Sequence, residues 1–331
     1  MGRSGLCAAV WLRRIGEIFL DQHIAAILAQ LDELGKEQLQ KGEWEAAVQT
    51  FRKMLELDDH PVVRNNLATA FYNNGKPQEA WEFLEPELEK GVISPFAWAL
   101  ASMIAQDLGW GSKAQEYLQQ AIYCFDSGVH NPRQLGFEPA AWREYTVIIK
   151  RAAGHLGEDR LVVDLHKKWE RYYQTPEDVF QAGVALFNLD YPLRAAELWA
   201  RIKGRGWDFL EAYITVAELV DQGVVPRFTL PYAAPDFLRG GRLSEELFTE
   251  KVSQGGNRVL LLAQVFDPLF PPAALQPALA ILVGCGEWGL DLVRSILENS
   301  SLSKRIKLAA AYALRDLGVA KPGIEEYLED E

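Results

Sequence analysis

Residues 65–88 read NNLATAFYNNGKPQEAWEFLEPEL, and the apolar positions of this stretch are spaced for two short helices. In its first half, Leu67 and Phe71 recur at helical spacing, and Gly75 then ends the helix, because glycine adopts the left-handed cap conformation at little cost. Pro77 suits the first turn of a second helix, where the missing N–H has no helical partner. The stretch therefore predicts a helical hairpin.

The hairpin pattern recurs at a nearly constant period. Gly35 and Ala68 lie 33 residues apart, and a further copy places Ala114 34 residues after Ala80. A later copy carries Gly183, followed by Ala195 and Trp199. One hairpin cannot bury both of its faces, so copies at a fixed period predict a stack in which each hairpin covers the next.

This pattern resembles the tetratricopeptide repeat, whose period is about 34 residues. The matching residues of the first copy are Leu34, Gly35, Ala47, Phe51 and Pro61. The resemblance implies an all-α, right-handed α-solenoid of helical hairpins. It also implies that the first helix of each hairpin lines a concave groove that binds a peptide segment of another protein.

Breaks in the pattern predict the domain organisation. Three prolines and a glycine pair in residues 224–242 exclude a continuous helix, which favours a linker there. The predicted regions are a capping helix at 1–30, a repeat region at 31–223 with four recognisable copies and an atypical copy at about 139–175, the linker at 224–242, and a helical region at 243–331.

The region after the linker has its own internal similarity. Gly284 and Gly289 are matched by Gly318 and Gly323, both pairs being 34 residues apart. The alanine-rich segment 305–317 resembles the inner helix of a HEAT-type repeat, in which small residues allow close packing. We therefore expect a smaller, HEAT-like helical end.

Composition and charge narrow the function classes. The formal net charge of −12 at pH 7 argues against nonspecific binding to nucleic acid or to an anionic membrane, since both require concentrated Lys and Arg. The apolar run at residues 5–12 is interrupted by Arg13 and Arg14 and is shorter than the roughly 20 residues of a membrane span. The three cysteines are scattered, and the five histidines form no i, i+4 pair for a metal. The sequence predicts a cytoplasmic protein without cofactor or metal.

One motif indicates another function. Residues 284–289 read GCGEWG, which satisfies the G-x-G-x-x-G pattern of nucleotide-binding loops and follows an apolar run at 279–283. In such folds the glycines follow a strand and let the backbone approach a phosphate at a helix N-terminus. A nucleotide- or S-adenosylmethionine-dependent enzyme is therefore an alternative. An acidic residue about 20 positions on, the usual ribose ligand, is missing.

The tetratricopeptide resemblance implies which residues face the groove. Mapped onto this chain they are Lys36, Asn65, Thr69, Tyr72, Asn73, Phe96, Met103, Gln106, Phe180 and Phe187. Phe96 and Phe180 have a structural interpretation as well, since neighbouring helices pack through the same residue types. Arg143, Lys150 and Arg151 fall on one helix face of the atypical copy and are candidates for an acidic segment, although charged helix faces are usually only solvated.

The sequence therefore predicts a non-catalytic scaffold that holds a peptide segment of a partner protein. The chaperone-tail clamp of the family is not matched, because only Asn66 fits while Asp32 stands at the first lysine position and Phe96 and Leu100 at the third pair. Self-assembly, in which the open end of one solenoid stacks on another copy, is a further alternative.

Overall fold

The computed structural model describes residues 4–91, 94–130, 142–173, 175–235, 252, 255–316 and 318, with side chains from His23 onward except that of His130. These residues form 15 α-helices and one 3-10 turn, and contain no strand. The helices are α1 Ser4–Lys41, α2 Trp44–Leu57, α3 Pro61–Asn73, α4 Pro77–Glu89, α5 Pro95–Asp107, α6 Gly111–His130, α7 Trp142–His155, α8 Asp159–Lys168, α9 Pro176–Asn188, α10 Pro192–Ala200, α11 Leu210–Asp221, α12 Gly255–Val265, α13 Pro272–Val283, α14 Glu287–Glu298 and α15 Lys304–Asp316.

Local sequence signals set the ends of these helices. Pro77 stands at the start of α4, as predicted, and Gly75 before it has a φ of +72°. At the start of α9, Thr175 and Asp178 form a capping box in which each side chain accepts a hydrogen bond from the other's backbone N–H. The turn after α9 differs from the others, because Asp190 occupies the left-handed region with a φ of +66°.

Consecutive helices pack against each other within two stretches of the chain, from α1 to α6 and from α8 to α15. The turns between most of these partners are short, which makes the neighbours antiparallel. Corresponding helices of adjacent hairpins are also in contact, as α3 with α5 and α13 with α15. This is the packing of stacked hairpins, and the predicted all-α solenoid fold is confirmed for the described residues.

A small residue facing a large one sets the distance between the two helices of a hairpin. A Cβ added to Gly35 of α1 would lie 2.6 Å from the Phe51 ring of α2, and one added to Gly183 of α9 would lie 2.2 Å from the Trp199 indole nitrogen of α10. In both hairpins the large residue follows the glycine by 16 positions. The side chain of one helix therefore fills the space that the glycine leaves on the other.

The described chain divides into two compact units, Met1–Ala152 and Ala153–Glu331. The core of the second unit runs from Phe180 to Leu314 and includes Val225 and Leu230, which belong to the predicted linker. The predicted domain limits stay a prediction, because compactness does not test which segments fold independently. The same holds for the HEAT-like character of the C-terminal helices.

Some predicted features are altered or lie outside the described residues. The predicted capping helix at 1–30 is continuous with the first helix of the first copy, since both belong to α1. The side chains of residues 1–22, the connection at 131–141, most of the segment 236–254 and the glycine at 323 lie outside the described part of the chain.

Gly183→Ala is expected to destabilise the protein by about 1–3 kcal/mol, as overpacking of a filled core does. The indole of Trp199 is fully buried and its Nε1 donates to the Phe180 carbonyl at 3.2 Å, so the ring cannot move without losing a hydrogen bond. Gly111→Ala is the matched control, because this exposed position at the start of α6 has no atom within 4 Å of an added Cβ. The control should gain up to about 1 kcal/mol. Urea denaturation gives the free energy of unfolding of each variant and of wild type. Equal values for Gly183→Ala and Gly111→Ala would contradict the close packing of Gly183 against Trp199.

Candidate functional site

A cavity of about 310 Å³ lies in the first compact unit, where α3, α5 and α7 come together. Six of the residues predicted to face the groove line it, and they are Thr69, Tyr72, Asn73, Phe96, Met103 and Arg143. The remaining lining residues are Leu100, Glu144, Val147, Ile148 and Arg151. The structure therefore brings together, on three separate helices, side chains that the sequence spreads over more than eighty positions.

Helical spacing explains how each helix contributes a set of neighbours. Thr69, Tyr72 and Asn73 of α3 lie at i, i+3 and i+4, which places them on one face. Phe96 and Met103 of α5 are seven residues apart, two turns along the same face. The side chains that reach the cavity therefore come from continuous faces of regular helices.

The cavity has an apolar floor and a polar rim. Leu100 and Met103 of α5 and Ile148 of α7 form the floor, and each is less than 8% exposed. Arg143 and Arg151 belong to the rim and lie eight residues apart on α7. An occupant of this cavity must therefore present an apolar group together with polar or charged atoms.

Tyr72 connects the floor to the rim. Its phenol donates a hydrogen bond to the Asp107 carboxylate, and the positive charge of Arg151 acts on the same group. Burial raises the pKa of the Tyr72 phenol above its ordinary value, and the bond to Asp107 adds to this effect. The tyrosine therefore remains a neutral hydrogen-bond donor at physiological pH.

Asn65 extends this face of α3 by one turn from Thr69. The Thr69 hydroxyl donates to the Asn65 carbonyl at 2.8 Å. The Asn65 side-chain oxygen is buried and accepts no hydrogen bond from the described residues, and the Asn66 side-chain nitrogen is buried without an acceptor among them. Buried amide groups without a partner are rare in proteins.

Five predicted groove residues lie elsewhere. Lys36 is exposed on α1 and pairs with Asp32 at 2.7 Å, and Gln106 is exposed on α5 outside the cavity. Lys150 is fully buried, unlike Arg143 and Arg151 on the same helix. Phe180 is 1% exposed. Four rings surround it, those of Trp199, Trp207, Phe209 and Tyr213.

Phe187 is also in the core of the second unit, at 5% exposure. Its side chain contacts Trp199 and Phe228 rather than open surface. Phe180 therefore packs against neighbouring helices, which was the structural alternative to a groove position. Phe187 does the same. Neither side chain offers surface to a ligand in this arrangement.

The sequence reasoning did not single out the apolar half of the α7 face. Val147 and Ile148 lie between Arg143 and Arg151, and their helical spacing was the available signal. The connection before α7 breaks the repeat period, so the position of α7 relative to α3 and α5 could not be obtained by counting 34 residues onward. In the sequence, Leu100 stands out only as a position of the chaperone-tail clamp.

The G-x-G-x-x-G motif occupies a turn between two helices. Its apolar run belongs to helix α13, so the strand required by a nucleotide-binding loop is replaced by helix. Gly286 precedes α14 with a φ of +83°, and a Cβ on Gly289 would lie 2.2 Å from the Leu282 carbonyl oxygen. Both glycines are therefore explained by the turn and by the close approach of α14 to α13.

Two other classes of site are absent from the described residues. None of the helices there combines the length and apolar character needed to cross a bilayer. No group of three or more His, Cys, Asp or Glu side chains is placed to hold a metal ion within that part of the chain.

No protein-family model and no curated protein matches the sequence. Among solved structures, eleven chains match. One is the TPR domain of P58(IPK), determined by crystallography at 2.5 Å, with 12% sequence identity over 91% of this chain and 96% of that chain and a TM-score of 0.28. The repeat arrangement of this chain rests on the packing of its own helices.

Tyr72→Phe is expected to change how stability depends on pH. Since the folded-state pKa of Tyr72 is raised, its contribution to stability is complete below the unfolded pKa of about 10 and is lost as pH rises above it, by up to about 1.4 kcal/mol per pH unit. The variant lacks this term, so the stability difference between wild type and variant should shrink above about pH 10. Urea denaturation at several alkaline pH values measures it. Tyr213 and Tyr232, whose pKa values burial also raises, are present in both proteins. If the free energies of unfolding of wild type and Tyr72→Phe changed with pH in parallel, the raised pKa of Tyr72 would be contradicted.

Proposed function

We propose that this chain is a non-catalytic scaffold that binds a peptide segment of another protein in the cavity between α3, α5 and α7. The observation that carries the proposal is the lining of that cavity. Faces of three helices that belong to successive hairpins converge on one concave site, with apolar residues at its base and hydrogen-bonding residues around it.

The size of the cavity supports a side-chain ligand. A volume of about 310 Å³ is at the lower end of small-molecule sites, which span roughly 300–1,000 Å³, and is enough for one large side chain and its neighbouring backbone. The floor formed by Leu100, Met103 and Ile148 would receive the apolar group, and methionine adapts its shape to what it contacts. Asn73, Thr69 and Tyr72 would hydrogen-bond the backbone that carries it.

The energetics favour a partner that orders on binding. The helices that line the cavity are already packed, so the scaffold loses little conformational freedom when it is filled, and the ordering cost falls on the peptide. Affinity would come from one buried anchor and several modest polar contacts. The partner is another protein of unspecified identity. The cytoplasmic location and the possible self-assembly of the solenoid stay predictions.

Asn73→Trp should lower peptide affinity at least tenfold, because an indole at this exposed rim position would fill the cavity without entering the core. A tenfold loss corresponds to about 1.4 kcal/mol of binding free energy. Peptides selected by display against the wild-type chain supply the ligands, and titration calorimetry gives the affinities. Gln120→Trp, the same insertion at an exposed position of α6 away from the cavity, is the matched control and should bind as wild type does. Selected peptides that bind both variants equally would place the site elsewhere.

A further inference from the structure

We propose that a second peptide-binding site exists in the unit Ala153–Glu331, on the surface formed by Gly154, Asp159 and the end of α9, and that residues 226–232 of the chain itself are its ligand in this structure. This site is separate from the cavity between α3, α5 and α7 and does not depend on the function proposed for that cavity. Its external ligand would be a peptide of the same pattern, Phe-x-Leu-Pro-Tyr, which competes with the chain's own segment.

The burial pattern of this segment is that of a docked extended peptide. Residues 226–232 read PRFTLPY and are not helical. Phe228, Leu230 and Tyr232 are buried or half-buried, whereas the alternate residues Arg227, Thr229 and Pro231 are exposed. Alternation of this kind places every second side chain on the surface that the peptide binds.

A single asparagine holds the backbone of the segment. The Oδ1 of Asn188, at the end of α9, accepts from the Leu230 N–H at 2.7 Å, and its Nδ2 donates to the Leu230 carbonyl at 3.1 Å. Nδ2 also donates to the Asp159 carboxylate at 3.2 Å, which fixes the orientation of the amide. One side chain therefore satisfies both backbone groups of a residue 42 positions later, as receptors do for bound peptides.

Tyr232 ends the segment in a fitted position. Its hydroxyl donates to the Asp159 carboxylate at 2.5 Å, and burial together with this bond raises the pKa of the phenol, which keeps the donor protonated. The ring lies directly on Gly154, where an added Cβ would come within 2.9 Å of it. The absence of a side chain at Gly154 therefore makes room for the tyrosine.

Phe228 provides an aromatic anchor at the other end. Its ring packs edge-on against Phe187 of α9 and against Trp288 of α14, with centroids 5.4 Å away in each case. The Arg258 guanidinium lies 4.3 Å from the Trp288 ring and 5.5 Å from the Phe228 ring. The pocket is thus aromatic on both sides with a cation beside it, which suits Phe or Tyr in a ligand.

Two further contacts keep the segment in place. Trp288 Nε1 donates to the Pro226 carbonyl at 3.1 Å, and Arg227 forms an ion pair with Asp190. A tethered ligand has an effective concentration in the millimolar range, so an external peptide must exceed this threshold to replace it. Loosening the anchors on the ligand side should therefore open the site without damaging its receptor side.

The test uses the full chain with Phe228→Ala and Tyr232→Ala together, which removes two anchors and retains Asn188, Asp159 and Gly154. The probe is a fluorescein-labelled peptide with the sequence PRFTLPY and blocked ends, followed by fluorescence anisotropy. We expect at least tenfold tighter binding to the double variant than to wild type. Adding Asn188→Ala to the double variant should weaken binding about tenfold, because both backbone hydrogen bonds are lost.

Two results would overturn the proposal. One is a double variant that keeps its helical circular dichroism and thermal transition but does not bind the peptide, and the other is binding that Asn188→Ala leaves unchanged. If the double variant loses its helical signal, hydrogen exchange of the wild-type chain tests whether an added peptide displaces the segment. Millimolar peptide should accelerate exchange of the Leu230 amide, and an unchanged rate would show that the segment is an integral part of the core.

Discussion

The fold depends on the contact between a small residue on the first helix of a hairpin and a large residue on the second. Where Gly35 faces Phe51, or Gly183 faces Trp199, the helices approach more closely than two ordinary side chains would permit. Close approach allows short turns, and short turns leave the first helices of successive hairpins side by side. The concave site between α3, α5 and α7 is a consequence of that arrangement, because each first helix presents one face to the same cavity.

The same contact explains why the fold could be predicted from sequence. Glycine and alanine at a fixed period are visible without a structure, and Gly75 and Pro77 mark their turn and helix start by rules that act within a few residues. The α3 and α5 sides of the candidate site were implied by the resemblance to the tetratricopeptide repeat. The α7 side did not, since a helix face says which residues are neighbours but not which other helix covers them. Lys150 and Arg151 are adjacent in sequence, yet only the first is buried.

The segment after α11 shows a different limit of sequence reasoning. Its prolines correctly exclude a helix, and the described residues 224–235 contain none. Composition does not distinguish a free linker from a segment that is bound by side chains from distant parts of the sequence. The decisive partners, Asn188 and Asp159, are 42 and 73 residues from their contacts, and no local pattern connects them. The glycines at 284–289 illustrate the reverse case, in which a short motif matches while its structural context is a pair of helices.

The aspartate in the turn after α9 limits the modularity of the repeats. Most turns of this kind use glycine, which enters the left-handed region freely, whereas Asp190 does so at a conformational cost of about 1 kcal/mol and holds Arg227 with its carboxylate. Repeat proteins can often exchange one unit for another. Here a transplanted glycine turn would relax the backbone but would also remove the carboxylate that pairs with Arg227, so this turn has a contact outside its own hairpin.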